Sequence, residues 1–308
     1  MSAPIVVVGS LNADLVVHVP RFPRPGETLS GDAFARFPGG KGANQAYAAA
    51  RLGGMVAMVG QVGADDHGAW LAGHLAAGGV DTTCVLRDEQ APTGVALITV
   101  DAAGQNQIVL VAGSNGSFTP DRLATIEPVI RGARVVLLQL EIPLETVIAA
   151  ARIARQAGAL VILDPAPARD LPDILLELGD YVTPNETELV VLTDGGDLRG
   201  DDDVRRRAAQ LLARGAAGVL VKLGAGGAAH IGPQGEHWWP AHVVPVVDTT
   251  AAGDAFNGAL AVALTEGQPL DRAGRFATAA ASIAVTRAGA QTSMPGREDV
   301  DRVLADAS

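Results

Sequence analysis

The stretch "VVLLQLEIPLETVIAAARIARQAGALVIL", residues 135–163, contains one full repeat of an alternating architecture. Its apolar start reads as a strand over 135–140. Leu144 to Ala157 then places apolar side chains at helical spacing between polar ones, and after Gly158 a second short apolar strand covers Leu160–Leu163. Two strands joined by a helix of this length pair in parallel, and strands apolar on both sides are covered on both faces.

Working outward, the same rhythm continues. Toward the C-terminus it predicts a strand at Tyr181–Val182, helices over 186–192 and 203–214, and a strand over 218–223. A further β pair falls around 228–239, followed by two helices within 255–264 and 270–285. Toward the N-terminus it predicts a strand at Ile5–Val8 and helices over 42–52 and 68–77. Two segments break the rhythm. An extended piece covers 15–38, and "TGVALITVDAAGQNQIVLVAG" from Thr93 reads as a hairpin apolar on both faces, turning at Asp101–Gly104. We assign both to a small β appendage, giving one domain over 1–308 with appended segments near 12–38 and 93–112.

With 308 residues, 48% of them hydrophobic, and a net charge of −11, the chain can bury a large core and is poorly suited to neutralising nucleic-acid phosphates. No apolar run reaches the length of a membrane span, so a cytoplasmic protein without membrane or nucleic-acid partners is expected. The single cysteine, Cys84, excludes an internal disulfide and reads as a small buried side chain. Among 23 basic residues only Lys41 and Lys222 are lysines, and each sits beside a glycine-rich turn. A lysine is a compact point charge that an arginine fork does not replace.

Two glycine-rich turns carry the chemistry. In "FPGGKGANQAYAAARLGG", residues 37–54, glycines precede a helix start, where free N–H groups and the dipole favour an anion. The phosphate-loop pattern G-x-x-x-x-G-K-[ST] is absent, because Ala43 follows Gly42. In "VDTTAAGDAFNGALAVAL", residues 247–264, the small residues Ala251, Ala252 and Gly253 lead into a helix and Asp254 stands at its start. Ligands in open α/β sheets bind beyond the carboxyl ends of the strands. The polar residues that follow the apolar runs there are Asn12, Asp14, Glu141, Asp164, Asn185, Glu188, Gly224 to Gly227 and Asp248.

With these motifs the chain resembles the PfkB-type carbohydrate kinases along almost its whole length. The likeness runs through "GSLNADLV", "PGGKGANQA", "QLEIPLETV", "DPAPAR", "TPNETE", "VDTTAAGDAFNGAL" and "AVTRAGAQTSMP". It implies a Rossmann-like α/β fold, a mostly parallel sheet flanked by helices, with the appendage as a β-sheet lid. The implied activity moves the γ-phosphoryl group of ATP to a sugar hydroxyl. O5 of D-ribose leads as the acceptor, with deoxyribose, fructose or a nucleoside as alternatives.

Residue by residue, the resemblance makes Asp254 the general base and the backbone of Ala251, Ala252, Gly253 and Asp254 the anion hole. Asn12, Ala13, Asp14, Gly40, Lys41, Gly42, Ala43, Asn44 and Glu141 would hold the sugar, the glycines letting the backbone approach it. Asn185, Lys222, Leu223, Gly224, Ala225, Gly226, Gly227 and Thr278 would hold the nucleotide. Glu188 would order Mg²⁺ through water. Asp248, Thr250, Ala284, Arg287, Gly289 and Ser293 would form a loop for activating K⁺. The lids of two copies would pack together in a homodimer. The chain departs from the family's pattern at the nucleotide loop, where Lys222 and "GAGG" stand in place of a threonine and a "GSRG"-like turn.

Other classes fit less well. A dinucleotide-dependent oxidoreductase would need G-x-G-x-x-G after the first strand, and the residues there are "GSLNAD". A zinc hydrolase would need paired histidine spacing that the six histidines lack. A non-catalytic sugar-binding protein of this fold would have no use for Asp254 behind an intact "AAG".

Overall fold

A computed structural model describes residues 4–306. The main sheet has ten strands, β1 (Ile5–Val8), β4 (Val56–Gly63), β5 (Val80–Asp81), β6 (Val85–Asp88), β9 (Val135–Leu138), β10 (Leu160–Leu163), β11 (Tyr181–Val182), β12 (Val219–Lys222), β13 (Ala228–Gly232) and β14 (Gly235–Trp239). Their order is β14-β13-β12-β11-β10-β9-β1-β4-β5, with β6 continuing alongside β4. All pairings are parallel except β12 with β13 and β13 with β14.

Alternate residues of the central strands enter two different cores. Ile5, Val7, Leu137, Ile162 and Leu220 pack with the helices Lys41–Arg51, Ala252–Thr265 and Leu270–Ala284. Val6, Val8, Leu138, Val161, Leu163 and Val221 pack with Leu144–Gln156, Glu186–Leu192 and Gly200–Ala213. The unbroken apolar runs are thus sealed on both faces, as a sheet of parallel crossovers requires. Cys84 belongs to the second core.

A second sheet of four strands stands apart, in the order β3 (Ala33–Gly39), β2 (Asn12–His18), β7 (Gly94–Val100), β8 (Asn106–Val111). Its outer strand β8 is exposed at all six residues. Phe34, Ile108 and Val109 are 66%, 57% and 61% exposed, so this sheet offers apolar surface that its own chain does not cover.

One central strand was not apparent from the pattern. Val56–Gly63 is buried throughout and pairs with β1, yet Gly60, Gln61 and Gly63 interrupt its apolar run. Gln61 is tolerated because its amide nitrogen donates to Asp88, to the Ser114 carbonyl and to Ser117, while Arg122 donates to its oxygen. The last helix, Arg297–Asp306, and the short strands β5 and β6 were likewise not foreseen.

The chain leaves β1 to build β4 and β5 on one side, then returns to place β9 on the other. This reversal opens a crevice beyond the ends of β1 and β9. The polar groups gather there.

Candidate active site

At the crevice, Glu141 follows β9 and faces the connection from β1 to β2. Its Oε2 accepts from Ser10 Oγ at 2.5 Å, from the Lys41 amide at 3.1 Å and from Asn12 Nδ2 at 3.4 Å. Asn115 fixes the other end of the Asn12 amide, donating to its Oδ1 at 2.8 Å. Asp14, two residues along β2, leans against Gly39. Burial, and then the charge of Glu141, push its carboxyl up to about 7. Strand alternation sends the intervening Ala13 into the core, where it is fully buried.

The glycines of "GGKG" pack closely on the β1–β2 connection. Gly40 has φ 90°, and a Cβ there would lie within 3 Å of the backbone of Ser10, Leu11 and Asn12. A Cβ on Gly42 would meet Gly9 and Ser10 backbone at 2.6–2.8 Å. These glycines let the helix start close on the β1–β2 connection, so they shape the crevice from behind. Ala43 fills the core beside them.

The next residues of that helix reach Asp254. Asn44 Nδ2 donates to Asp254 Oδ2 at 3.0 Å, and Gln45 Nε2 donates to Oδ1 at 3.0 Å. Asn44 is itself held by Gln291, whose Nε2 donates to its Oδ1 at 3.2 Å, so its amide positions the carboxylate. Gln45 also donates to Asp164 at 2.8 Å and accepts from Gln139 at 2.6 Å. Asp254 is 5% exposed, and burial raises its carboxyl to about 6 against the opposing charge of Lys41. Lys41 is held above its ordinary range: burial works against its charge, but Asp254, Asp164, Glu141 and Glu188 outweigh that effect.

Asp254 sits in the first turn of the helix Ala252–Thr265, which is capped by Ala251 in the left-handed conformation at φ 58°. An alanine costs free energy there, and such strain is kept where the turn it makes is useful. The amides of Gly253 and Asp254 meet no acceptor among the described residues. Two free N–H groups at the positive end of a 14-residue helix are suited to an anion.

From this point a cavity of about 760 Å³ runs away from the crevice. Asp164, Asn185, Glu188, Lys222, Gly224, Ala225 and Gly227 line one part of it, and His242, Val243, Val244, Val246, Thr278 and Ser282 another. Asn185 and Glu188 lock each other in a reciprocal helix cap, Glu188 accepting from the Asn185 amide at 2.7 Å and from its side chain at 2.9 Å. Burial raises the Glu188 carboxyl, with Lys222 working the other way. Thr278 is 4% exposed and its hydroxyl has no partner among the described residues. Leu223 leans toward the core and Gly226 closes the short turn after β12.

Beside the anion site, Asp248 joins two loops, accepting from the Thr250 amide at 2.9 Å and from the Gly289 amide at 2.8 Å. The amides of Val247 and Asp248 donate to the Val285 carbonyl, and Arg287 to that of Ala284. The Arg287 side chain pairs outward with Asp299, and Ser293, fully buried, donates to the Ala290 carbonyl.

The sequence reading did not single out Ser10, Gln45, Asn115, Gln139 and Gln291 for the site, and it placed Asp164 only on the rim. Gln45 adjoins Asn44 within the quoted motif, so its place was available. The others are set by contacts across about 90 residues or more.

A parallel α/β sheet whose crevice presents a buried carboxylate beside a helix N-terminus, next to an elongated cavity, defines a small-molecule phosphotransferase. Comparison with known proteins gives the class its family. Residues 2–297 match the pfkB family carbohydrate kinase profile. The chain is 42% identical over 299 residues to the ribokinase of Haemophilus influenzae, covering 97% of both. It is 36% identical over 301 residues to the deoxyribokinase of Salmonella typhimurium, covering 97% of this chain and 98% of that one. The structure of Arabidopsis thaliana ribokinase complexed with ribose and ATP superposes with a TM-score of 0.94 at 39% identity, covering 99% of each chain. The chain belongs to the pfkB family of carbohydrate kinases.

Proposed function

We propose that this kinase transfers the γ-phosphoryl group of ATP to O5 of D-ribose, giving ribose 5-phosphate and ADP. The observation that carries this reading is the position of Asp254, a buried carboxylate held by two amides beside two free backbone N–H groups. The sugar binds at Asn12, Asp14 and Glu141, with its reacting hydroxyl against Asp254. Asp254 takes the hydroxyl proton as the oxygen attacks phosphorus, and the Gly253 and Asp254 amides stabilise charge on the phosphoryl oxygens. Lys41 adds a buried positive charge. Phosphoryl transfer needs little else from the protein than positioning and charge stabilisation. ATP lies along the cavity over Asn185, the 222–227 turn and Thr278. An ATP-dependent reaction agrees with a cytoplasmic location.

Two ions fit the residues present. Both Glu188 oxygens already accept from Asn185, but a carboxylate has lone pairs to spare for the water of a hydrated Mg²⁺. Bound there with ATP, that ion would neutralise the phosphate oxygens. Asp248, Thr250, Ala284, Arg287, Gly289 and Ser293 can offer oxygens from their backbone carbonyls, two hydroxyls and one carboxylate, a set that suits K⁺, with the Arg287 guanidinium turned to Asp299. Its role would be to order the loop that ends in the anion site. The uncovered apolar face of the second sheet supports pairing of two copies through that sheet.

The similarity to a deoxyribokinase keeps 2-deoxyribose as a second reading. A coupled ADP-release assay over pentoses, hexoses and nucleosides tests both. Ribose should give the highest kcat/KM, and a preference for a hexose or nucleoside would overturn the assignment.

A further inference from the structure

The chain contains two lysines, and both line the same cavity. Arginine serves its structural ion pairs, such as Arg207 with Asp203 and Arg297 with Glu266. Lys222 differs in its setting. Its ammonium donates to Asp164 Oδ1 at 2.8 Å and lies 4.0 Å from Glu188 Oε2, at the end of β12. Its side chain keeps 13% of its surface exposed, whereas Asp164 keeps 2%. A Cβ built on Gly253 would stand 3.3 Å from Lys222 Nζ, so the ammonium flanks the residue whose free amide forms half of the anion site. An ammonium has three donors, and one of them is taken by Asp164.

We propose that Lys222, anchored on Asp164, is a second catalytic cation that donates to the oxygens of the phosphoryl group in transfer, beside the Gly253 amide. This rests on the kinase reading above. In the step itself the bond from γ-phosphorus to the β,γ-bridging oxygen breaks, the bond to the sugar oxygen forms, and the hydroxyl proton passes to Asp254. Lys222 stays protonated throughout and supplies charge alone. Asp164 is a positioning residue: its Oδ1 orients Lys222 while its Oδ2 shares the Gln45 amide with Asp254. One buried network therefore sets both the base and the cation. The bare ammonium suits the gap over Gly253, where a guanidinium would be larger and differently hydrated.

A competing role for Lys222 is to act only as the counter-ion of a buried Asp164. Removing Lys222 would then do harm by leaving that carboxylate unpaired, and removing both charges should undo the harm. The experiment compares Lys222→Met, Asp164→Asn and the double variant by kcat, by sugar KM and by melting temperature, using the sugar on which the unaltered enzyme is fastest. Lys222→Met should lower kcat about 100-fold, the scale for losing one donor to a developing charge, with sugar KM changed less than about twofold. The folded double variant should still fall roughly 10-fold below Asp164→Asn alone, a smaller step because that background has already lost the anchor of Lys222. A double variant as fast as Asp164→Asn would overturn the proposal and leave Lys222 a counter-ion. Preference for another sugar overturns the ribose assignment without touching this comparison.

Discussion

Asp254 and Asp14 are carboxylates raised by burial, and the two should titrate in different kinetic parameters. Asp254 must be ionised to accept the hydroxyl proton, and burial lifts its carboxyl to about 6. The kcat should be full above that value and fall as pH drops through it. Asp254→Asn should lower kcat by roughly 10²–10⁴-fold, and a near-normal kcat would remove it as the base. Asp14, lifted to about 7 by burial and by Glu141, accepts from hydroxyls best when ionised. Ribose KM should therefore fall as pH rises from 6 to 8, and Asp14→Asn should flatten that dependence. A site built to pair a hydroxyl rejects an analogue that lacks it. Ribose should thus beat 2-deoxyribose in kcat/KM, and Asp14→Ala should erase most of the preference. A mutant that kept it would show that another group reads the diol.

At the scale of elements, the helix Lys41–Arg51 does most to assemble the site. Its first turn supplies an amide to Glu141, and Asn44 and Gln45 grip Asp254. It can do so only because its glycines let it lie against the β1–β2 connection. Gly40→Ala meets both a positive φ and backbone atoms at 2.8–2.9 Å. Strain of this kind costs on the order of 1–3 kcal/mol, so the melting temperature should drop by several degrees and sugar affinity should fall with it. An unchanged melting curve would contradict the packing role. Asp248 ties the loop before the helix Ala252–Thr265 to the loop at Gly289. If K⁺ orders that junction, activity should rise when K⁺ replaces Na⁺ at constant ionic strength. Equal rates in both salts would remove the ion from the account.

For the whole molecule, the two sheets have opposite needs. The ten-stranded sheet is sealed by helices on both faces, while the four-stranded sheet leaves Phe34, Leu97, Ile108 and Val109 open to solvent. Apolar area of that kind is costly to leave in water. Sedimentation should give twice the 31.4 kDa chain mass at micromolar concentration, and Ile108→Lys with Leu110→Lys should shift it to one. A monomer in the unaltered protein would refute the pairing. No helix among the described residues is long and apolar enough to cross a membrane.

The sequence by itself determined the layered α/β architecture, because apolar runs and helical spacing are local signals that need no partner to be read. Ile5–Val8, Leu160–Leu163 and the helix at Glu186 emerge with the bounds the pattern implies. The motif around Asp254 was equally legible, since small residues before an acidic helix start are contiguous. Tertiary structure alone decided the strand Val56–Gly63, whose buried Gln61 is acceptable only once Asp88, Ser114 and Ser117 arrive to satisfy its amide. It alone decided that Asn44 turns to Asp254, that Gln291 backs it, and that Asp164 carries Lys222 to the anion site. Burying a polar group is costly unless it finds hydrogen-bond partners, and here the partners stand as far as 247 residues away along the chain.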